Sequence, residues 1–151
     1  MTFAVSVSAL LVILSTVIHH ETLRFVNERL PRIRVVDRRS KVLVAVFGAM
    51  LSHAAQISMF AFAYFVLRDR MGLGVFGGKF SDVFSSFLYF STETYTSLGF
   101  GDIYPLGQLR IVAGIESFTG LLMISWTASF TFLEMSRFWT GAERDRDRAL
   151  P

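Results

Sequence analysis

Long runs of apolar residues, broken by short charged segments, dominate the chain. The first run, Met1 to Ile18, holds no charge in 18 residues. As a helix it reaches about 27 Å, close to the roughly 30 Å of a hydrocarbon core. The second, Val42 to Leu67, carries no formal charge apart from a possible proton on His53. The third, Ile111 to Leu133, is interrupted only by Glu116. Each is long enough to span a bilayer. A fourth run, Val83 to Thr96, is shorter and ends in polar residues, which suits a helix that enters the membrane and turns back. The predicted order is helix, polar loop, helix, re-entrant helix with a following loop, helix, and charged tail.

Composition agrees with a membrane class. Of the 151 residues, 52% are hydrophobic and 16 are Phe, more apolar surface than a short soluble domain can bury. No Cys is present, which excludes disulfides and Cys-based metal sites. The first run has no basic residue before it and no clear small-x-small cleavage site after it, so an uncleaved helix is expected rather than a signal peptide.

The charge, +3 overall, is distributed by topology. The loop from His19 to Lys41 holds Arg24, Arg29, Arg32, Arg34, Arg38, Arg39 and Lys41, and the tail holds Arg137, Arg144, Arg146 and Arg148. Only Arg68, Arg70 and Lys79 lie between the second span and the re-entrant run. The positive-inside rule puts the basic loop and the C-terminus in the cytoplasm and the N-terminus outside, in a multi-pass protein of the cell (plasma or inner) membrane. The re-entrant segment then dips in from outside. Basic residues placed this way need no nucleic acid partner, although the loop also suits anionic lipid.

Within this frame, residues 1–18 are an extra N-terminal helix, 19–41 a basic cytoplasmic loop, 42–136 the central unit and 137–151 a charged cytoplasmic tail. The Gly-rich run from Met71 to Gly78 reads as a flexible connection, and Ser81 or Asp82 as the cap of the re-entrant helix.

The chemistry concentrates after that helix, in Thr94-Tyr95-Thr96-Ser97-Leu98-Gly99-Phe100-Gly101-Asp102-Ile103-Tyr104-Pro105. Non-helical backbone at membrane depth must be buried in protein or line an aqueous path. Gly99 and Gly101 alternate with larger residues, and their freedom at positive φ lets successive carbonyls turn to one side. Four such strands around an axis make stacked rings of oxygens that replace the water shell of a cation. The hydroxyl of Ser97 would add a ring at the inner end. One chain supplies one strand, so closure requires four copies. The C-terminal end of the re-entrant helix carries the negative end of its dipole, which favours a cation there.

This segment resembles the pore signature of potassium channels, Thr-Val-Gly-Tyr-Gly-Asp. Ser91 to Thr94 resemble the end of their pore helix, Ile103-Tyr104-Pro105 their outer turn, and Arg110 and Gly120 match the spacing of an inner-helix Arg and a gating Gly. The resemblance implies an all-α membrane protein with three transmembrane helices plus a re-entrant pore helix and selectivity-filter loop, assembled as a homotetramer. The permeant K+ would bind at Ser97, Leu98, Gly99 and Phe100, with Gly101 closing the filter, and no cofactor is needed. Filter support falls to Glu93, Thr94, Thr96 and Asp102. Glu93 and Asp102 resemble a carboxyl pair behind the filter, where like charges would favour a shared proton. Tyr89 and Phe90 would join an aromatic cuff. Glu116, Gly120, Ile124 and Ala128 would serve gating and the inner cavity, with Leu121 and Phe132 on the same face.

Several of these residues also have plainer readings. Gly120 is a hinge or a close helix contact. Glu116, costly in lipid, must face protein or water and is expected to bond to the pore helix or to His53. His53 is a proton sensor or, better, a neutral His bonded between helices. His19 and His20 are expected at the inner membrane face beside basic residues, as sensors of cytoplasmic pH or, better, with no specific role. The chain departs from the family at Ser97, Leu98 and Phe100, and Phe100 lacks the hydroxyl that braces the filter in relatives with Tyr. Those departures raise a second function, a weakly selective monovalent cation channel; a third is a silent subunit that modulates another channel.

An enzyme is not expected. Gly99-Phe100-Gly101-Asp102 also fits the Gly-x-Gly-Asp pattern of intramembrane aspartyl proteases, but Asp37, Asp69, Asp82, Asp145 and Asp147 all fall outside the spans, so no second catalytic Asp is available. No other catalytic motif is present.

Overall fold

The computed structural model describes residues 2–29 and 38–148, with side chains described for 2–28 and 42–136. Among the described residues there are four helices: α1 (Thr2–Arg29), α2 (Arg38–Asp69), α3 (Phe84–Thr96) and α4 (Leu109–Arg148). Three of them contain stretches long and apolar enough to cross a membrane, Thr2–Glu28, Val42–Asp69 and Leu109–Ser136. The protein is therefore a multi-pass membrane protein. α3 is the short fourth helix, packed between α2 and α4, while α1 packs against α2 and α4.

The packing follows helical periodicity. On α1 the buried stripe is Ala4, Ser8, Leu11, Ser15, His19, Leu23 and Val26; on α2 it includes Ala45, Ala49, Ser52, Gln56, Phe60, Tyr64 and Leu67. Steps of three and four keep each stripe on one face. Small residues in both stripes let the backbones approach, as helices in lipid require. The opposite faces expose large apolar side chains, such as Phe47, Leu51 and Phe62.

Helices run further than the apolar runs. α1 continues from Ile18 to Arg29, so half of the expected basic loop is helical. Arg24 spans the surface there, bonding Glu28 at 3.0 Å and approaching Glu21 at 3.6 Å. Such i,i+3 and i,i+4 pairs let a helix persist after its apolar stripe ends. The centre of that loop, residues 30–37 with Arg32 and Arg34, lies outside the described residues, as do the side chains of the tail arginines. α4 likewise extends to Arg148, through most of the segment read as a charged tail.

The Gly-rich connection is not simply flexible. Phe76–Gly78 forms β1, antiparallel to β2 (Ile103–Pro105), with Gly77 opposite Tyr104. Backbone bonds extend the pairing on either side, Lys79 N–H to Asp102 O at 2.8 Å and Leu106 N–H to Val75 O at 2.8 Å. The expected caps are also corrected. Val83 occupies the N-cap of α3 in extended conformation with no side-chain cap bond. Asp82 instead pairs with Arg68 of α2, and the Ser81 hydroxyl bonds that of Ser86 at 2.8 Å. The Arg68 guanidinium, 4.7 Å from the Phe80 ring centre, offers Asp82 a stronger partner than backbone N–H groups.

An aromatic cluster fixes the start of α3. Tyr64, Phe76, Phe80, Phe87 and Phe90 meet mostly edge to face at centroid distances of 4.9–5.8 Å, with Phe76 and Phe80 stacked. These contacts anchor the re-entrant helix to α2 and to β1.

Candidate functional site

The segment Ser97–Gly101 follows directly from the end of α3. Ser97 takes the left-handed conformation at φ 58°, and its N–H bonds back into the helix. The Leu98 N–H reaches Glu93 O at 2.9 Å. This six-residue closure with a left-handed residue before it is a Schellman cap, built here on Ser where Gly is usual. The Ser97 hydroxyl lies 3.0 Å from that of Ser117 on α4.

Positive φ then recurs at every second residue: Ser97 at 58°, Gly99 at 57° and Gly101 at 77°. Leu98 and Phe100 between them have no positive φ. Alternation of left-handed and right-handed residues turns successive carbonyls toward the same side of the strand. The structure thus brings Ser97, Leu98, Gly99, Phe100 and Gly101 together as one exposed strand beyond the C-terminal end of α3. Leu98 is 58% and Phe100 69% exposed.

Glu93 supports this strand from below. It is only 4% exposed, and its Oε1 accepts the Phe100 N–H at 3.0 Å. The Tyr89 hydroxyl lies 3.2 Å from the same oxygen and 3.1 Å from Asp102 Oδ1. The expected pairing of Glu93 with Asp102 is therefore bridged by a phenol. A phenol keeps its proton at neutral pH, so Tyr89 serves both carboxyl groups as a donor. Tyr89 was expected only as cuff packing. Its i,i+4 spacing to Glu93 was the available signal, since that spacing stacks two side chains on one helix face. Phe90, its neighbour, turns away into the aromatic cluster. Thr96 bonds Thr92 O at 2.8 Å, and the Thr94 carbonyl accepts the Ser97 N–H at 3.1 Å.

Glu116 lies fully buried on α4 and accepts two short bonds, from Ser91 of α3 and from Tyr64 of α2, both 2.5 Å. It pins the pore helix, as expected, and does not meet His53. His53 bonds the Tyr95 hydroxyl and Thr127 instead, each at 2.9 Å. Tyr64 was not singled out, because in a sequence it looks like an ordinary member of an apolar stripe, and Ser91 and Tyr95 were read only as parts of the motif around the end of the re-entrant helix.

Gly120 is a contact point. A Cβ there would come within 2.0 Å of the Tyr95 carbonyl oxygen. Its role in the fold is close packing of α4 on α3, and α4 runs through it without a break. Leu121, Ile124, Ala128 and Phe132 are exposed on α4, free to face a cavity or another copy. His19, expected at the membrane face, is fully buried. It sits on the α1 stripe and points between the helices. His20 is exposed beside Glu21.

No curated protein and no solved structure matches the chain. A family described as "Ion channel" matches residues 42–137, from the start of the α2 span to just past the α4 span, and so takes in the re-entrant helix and the strand with alternating φ. The chain belongs to this ion-channel family, that of the small potassium-channel pore domain.

Proposed function

We propose that the protein is a potassium-selective channel that works as a homotetramer, with Ser97–Gly101 as the selectivity filter. The observation that carries this reading is the alternation of positive φ at Ser97, Gly99 and Gly101 in an exposed strand. Carbonyls turned to one side in four copies give rings of oxygens that take over the hydration shell of K+. The α3 dipole adds negative potential at the inner end. A strand this exposed at membrane depth also calls for neighbours that cover its backbone, and three more copies around an axis supply them.

Under this reading, K+ meets Ser97, Leu98, Gly99 and Phe100, and Asp102 sits at the outer mouth. The Lys and Arg distribution places the C-terminus and the α1–α2 connection in the cytoplasm, beside anionic lipid. A weakly selective channel is the second reading. Phe100 brings no hydroxyl to brace the filter, and the Tyr89 phenol, which shares Glu93 Oε1 with the Phe100 N–H, is committed to Glu93 and Asp102.

The test is K+ flux into liposomes that contain only the purified protein, with Na+ as competitor and Gly99→Asp as control. Flux that prefers K+ and vanishes in Gly99→Asp supports selective conduction at this strand. Equal K+ and Na+ flux moves the function to a non-selective cation channel. Absence of flux in the wild type, across pH and lipid composition, points to a silent subunit.

A further inference from the structure

The family match begins at residue 42, so α1 lies outside it. Yet α1 sends one fully buried imidazole, His19, into a cluster of polar side chains from all four helices. The hydrogen bonds of that cluster can be assigned one after another. Tyr95 donates its hydroxyl proton to Gln56 Oε1 at 2.9 Å, and Gln56 Nε2 donates to Ser52 Oγ at 3.1 Å. With its proton spent, the Tyr95 oxygen accepts from His53 Nδ1–H at 2.9 Å. A neutral His53 then has a bare Nε2, which accepts the Thr127 hydroxyl proton at 2.9 Å. Thr127, its proton also spent, accepts from His19 Nε2–H at 3.3 Å. His19 Nδ1 is left bare and accepts from Ser52 Oγ at 3.3 Å, with Gln56 Nε2 at 3.4 Å beside it.

The sequence closes on itself. Gln56, Ser52, His19, Thr127, His53 and Tyr95 form one ring in which every bond runs in the same direction. We propose that His19 makes the N-terminal helix a positioning element for the filter, acting through this ring, which closes when each histidine carries a single ring proton. Tyr95 is the output. It is two residues from Ser97, and its carbonyl is the atom packed against Gly120.

A second proton on either histidine breaks the ring. On His19 it would set Nδ1–H against the Ser52 hydroxyl and the Gln56 amide, both donors. On His53 it would set Nε2–H against a Thr127 oxygen that already receives His19. Bonds in such a chain polarise one another, so a break at one place weakens all six. Few other ionisable groups face the ring. Between Val42 and Leu67, α2 carries Tyr64 besides His53, and the Tyr64 hydroxyl is committed to Glu116. α3 contributes Tyr95, while Glu93 faces the filter. α4 contributes Glu116, which is held by Ser91 and Tyr64. On α1 the neighbours are His20, Glu21 and Arg24, all exposed.

Two measurements on the full protein in lipid vesicles test the proposal. The first uses 15N-labelled histidine and glycine and needs no channel activity. His19 is expected as the Nε2–H tautomer and His53 as the less common Nδ1–H tautomer at about pH 7.5. The Gly99 and Gly101 amide signals are expected to move in His19→Ala and in Thr127→Val, and to stay in place in His20→Ala. Both histidines as Nε2–H tautomers, or unmoved glycine signals in both ring variants, would overturn it. The second is cation flux at about pH 7.5 and about pH 3.5, low enough to protonate a buried imidazole, and it alone rests on the proposed channel function. Wild type and His20→Ala are expected to lose flux several-fold at the acid value. His19→Ala and Thr127→Val are expected to show the lowered flux at both values, with no remaining pH dependence. A wild-type pH profile in those two variants would sink the idea. A wild type that conducts nothing would fail the proposed function and leave the tautomers and glycine signals to decide the ring. Thr127→Val keeps the side-chain shape and covers the case in which His19→Ala does not fold.

Discussion

The pore helix and the strand that follows it are adjacent in the chain but held in opposite ways. α3 buries Ser86, Phe87, Phe90, Ser91, Glu93 and Tyr95, six of its 13 residues, against α2 and α4. Aromatic contacts fix its first turns, and hydroxyl and carboxyl groups fix its last. Ser97–Gly101 is exposed throughout and holds to the rest of the protomer by a few bonds, chiefly Phe100 N–H on Glu93 and Ser97 on Ser117. One chain thus determines α3 completely and the Ser97–Gly101 strand only in part. The backbone dihedrals of the strand are set locally. Its lateral support has to come from outside the protomer, which in our proposal means the other three copies.

The largest effect is expected where the two regions lean on α4. In Gly120→Ala, the new Cβ meets the Tyr95 backbone oxygen at 2.0 Å, an atom that cannot rotate away. Overpacking of this kind costs about 3 kcal/mol. Thermal unfolding of the detergent-solubilised protein should fall by several degrees or more. Gly114→Ala, on the same helix with nothing within 4 Å of its Cβ, is the control. It should be neutral or stabilising, by up to about 1 kcal/mol from helix propensity. Equal tolerance at both positions would mean that Gly120 is not a contact and would restore the hinge reading.

Next comes Glu93→Ala. It removes the acceptor of Phe100 N–H and one partner of Tyr89, a change of about 2 kcal/mol for bonds to a charged group. Because α3 keeps its apolar contacts, the loss should appear in the filter and not in the helix. Amide exchange at Phe100 should accelerate by about tenfold or more, while exchange in the middle of α3 stays unchanged. Parallel acceleration in both would show that filter and helix are one cooperative unit.

A smaller effect is expected for Ser91→Ala, which tests the helix alone. Ser91 donates to Glu116 and lies 2.8 Å from the Ile57 carbonyl. Its removal leaves Glu116 with Tyr64 as its remaining bonded partner and should cost about 1–2 kcal/mol in stability. Tyr64→Phe should cost a similar amount, and the double variant more than the sum, because it strands a buried carboxyl group.

What was legible in the sequence follows the same division. The spans, the short fourth helix and the strand with alternating φ could be read because apolar length and the Gly-x-Gly pattern are local signals. The ends of the helices could not. α1 passes Ile18 on the strength of Arg24, Glu21 and Glu28, whose pairing shows only once a helix is assumed. The pairing of β1 with β2 joins residues nearly thirty apart through a Gly-rich run that reads as a loop. Polar partners chosen across helices were harder still. Glu116 was expected to meet the pore helix or His53, and spacing along one helix cannot say which helix turns which face toward it. His19 looked interfacial because charged residues follow it. Its burial depends on α1 keeping phase with Ser8 and Ser15, two residues that read as neutral in a hydropathy profile.

The smallest predicted effect falls on the joint between the two regions. Ser97 holds φ 58°, which costs a residue with a Cβ about 1 kcal/mol that Gly would not incur. Against this stands its bond to Ser117 at 3.0 Å, exposed and worth about as much. Ser97→Gly should therefore change stability by less than about 1 kcal/mol in either direction, since the two contributions oppose each other. The value of the variant lies in separating fold from function. If stability is kept while the preference for K+ changes, the Ser97 hydroxyl acts on the ion, and the strand does its work with a group that the helix does not need. If flux and selectivity are also unchanged, Ser97 serves only as the cap of α3, and the conducting part of the strand begins at Leu98. A loss of stability well beyond 1 kcal/mol would place Ser97 in the support of α3 against α4, and the boundary between the self-sufficient helix and the dependent strand would move one residue toward Leu98.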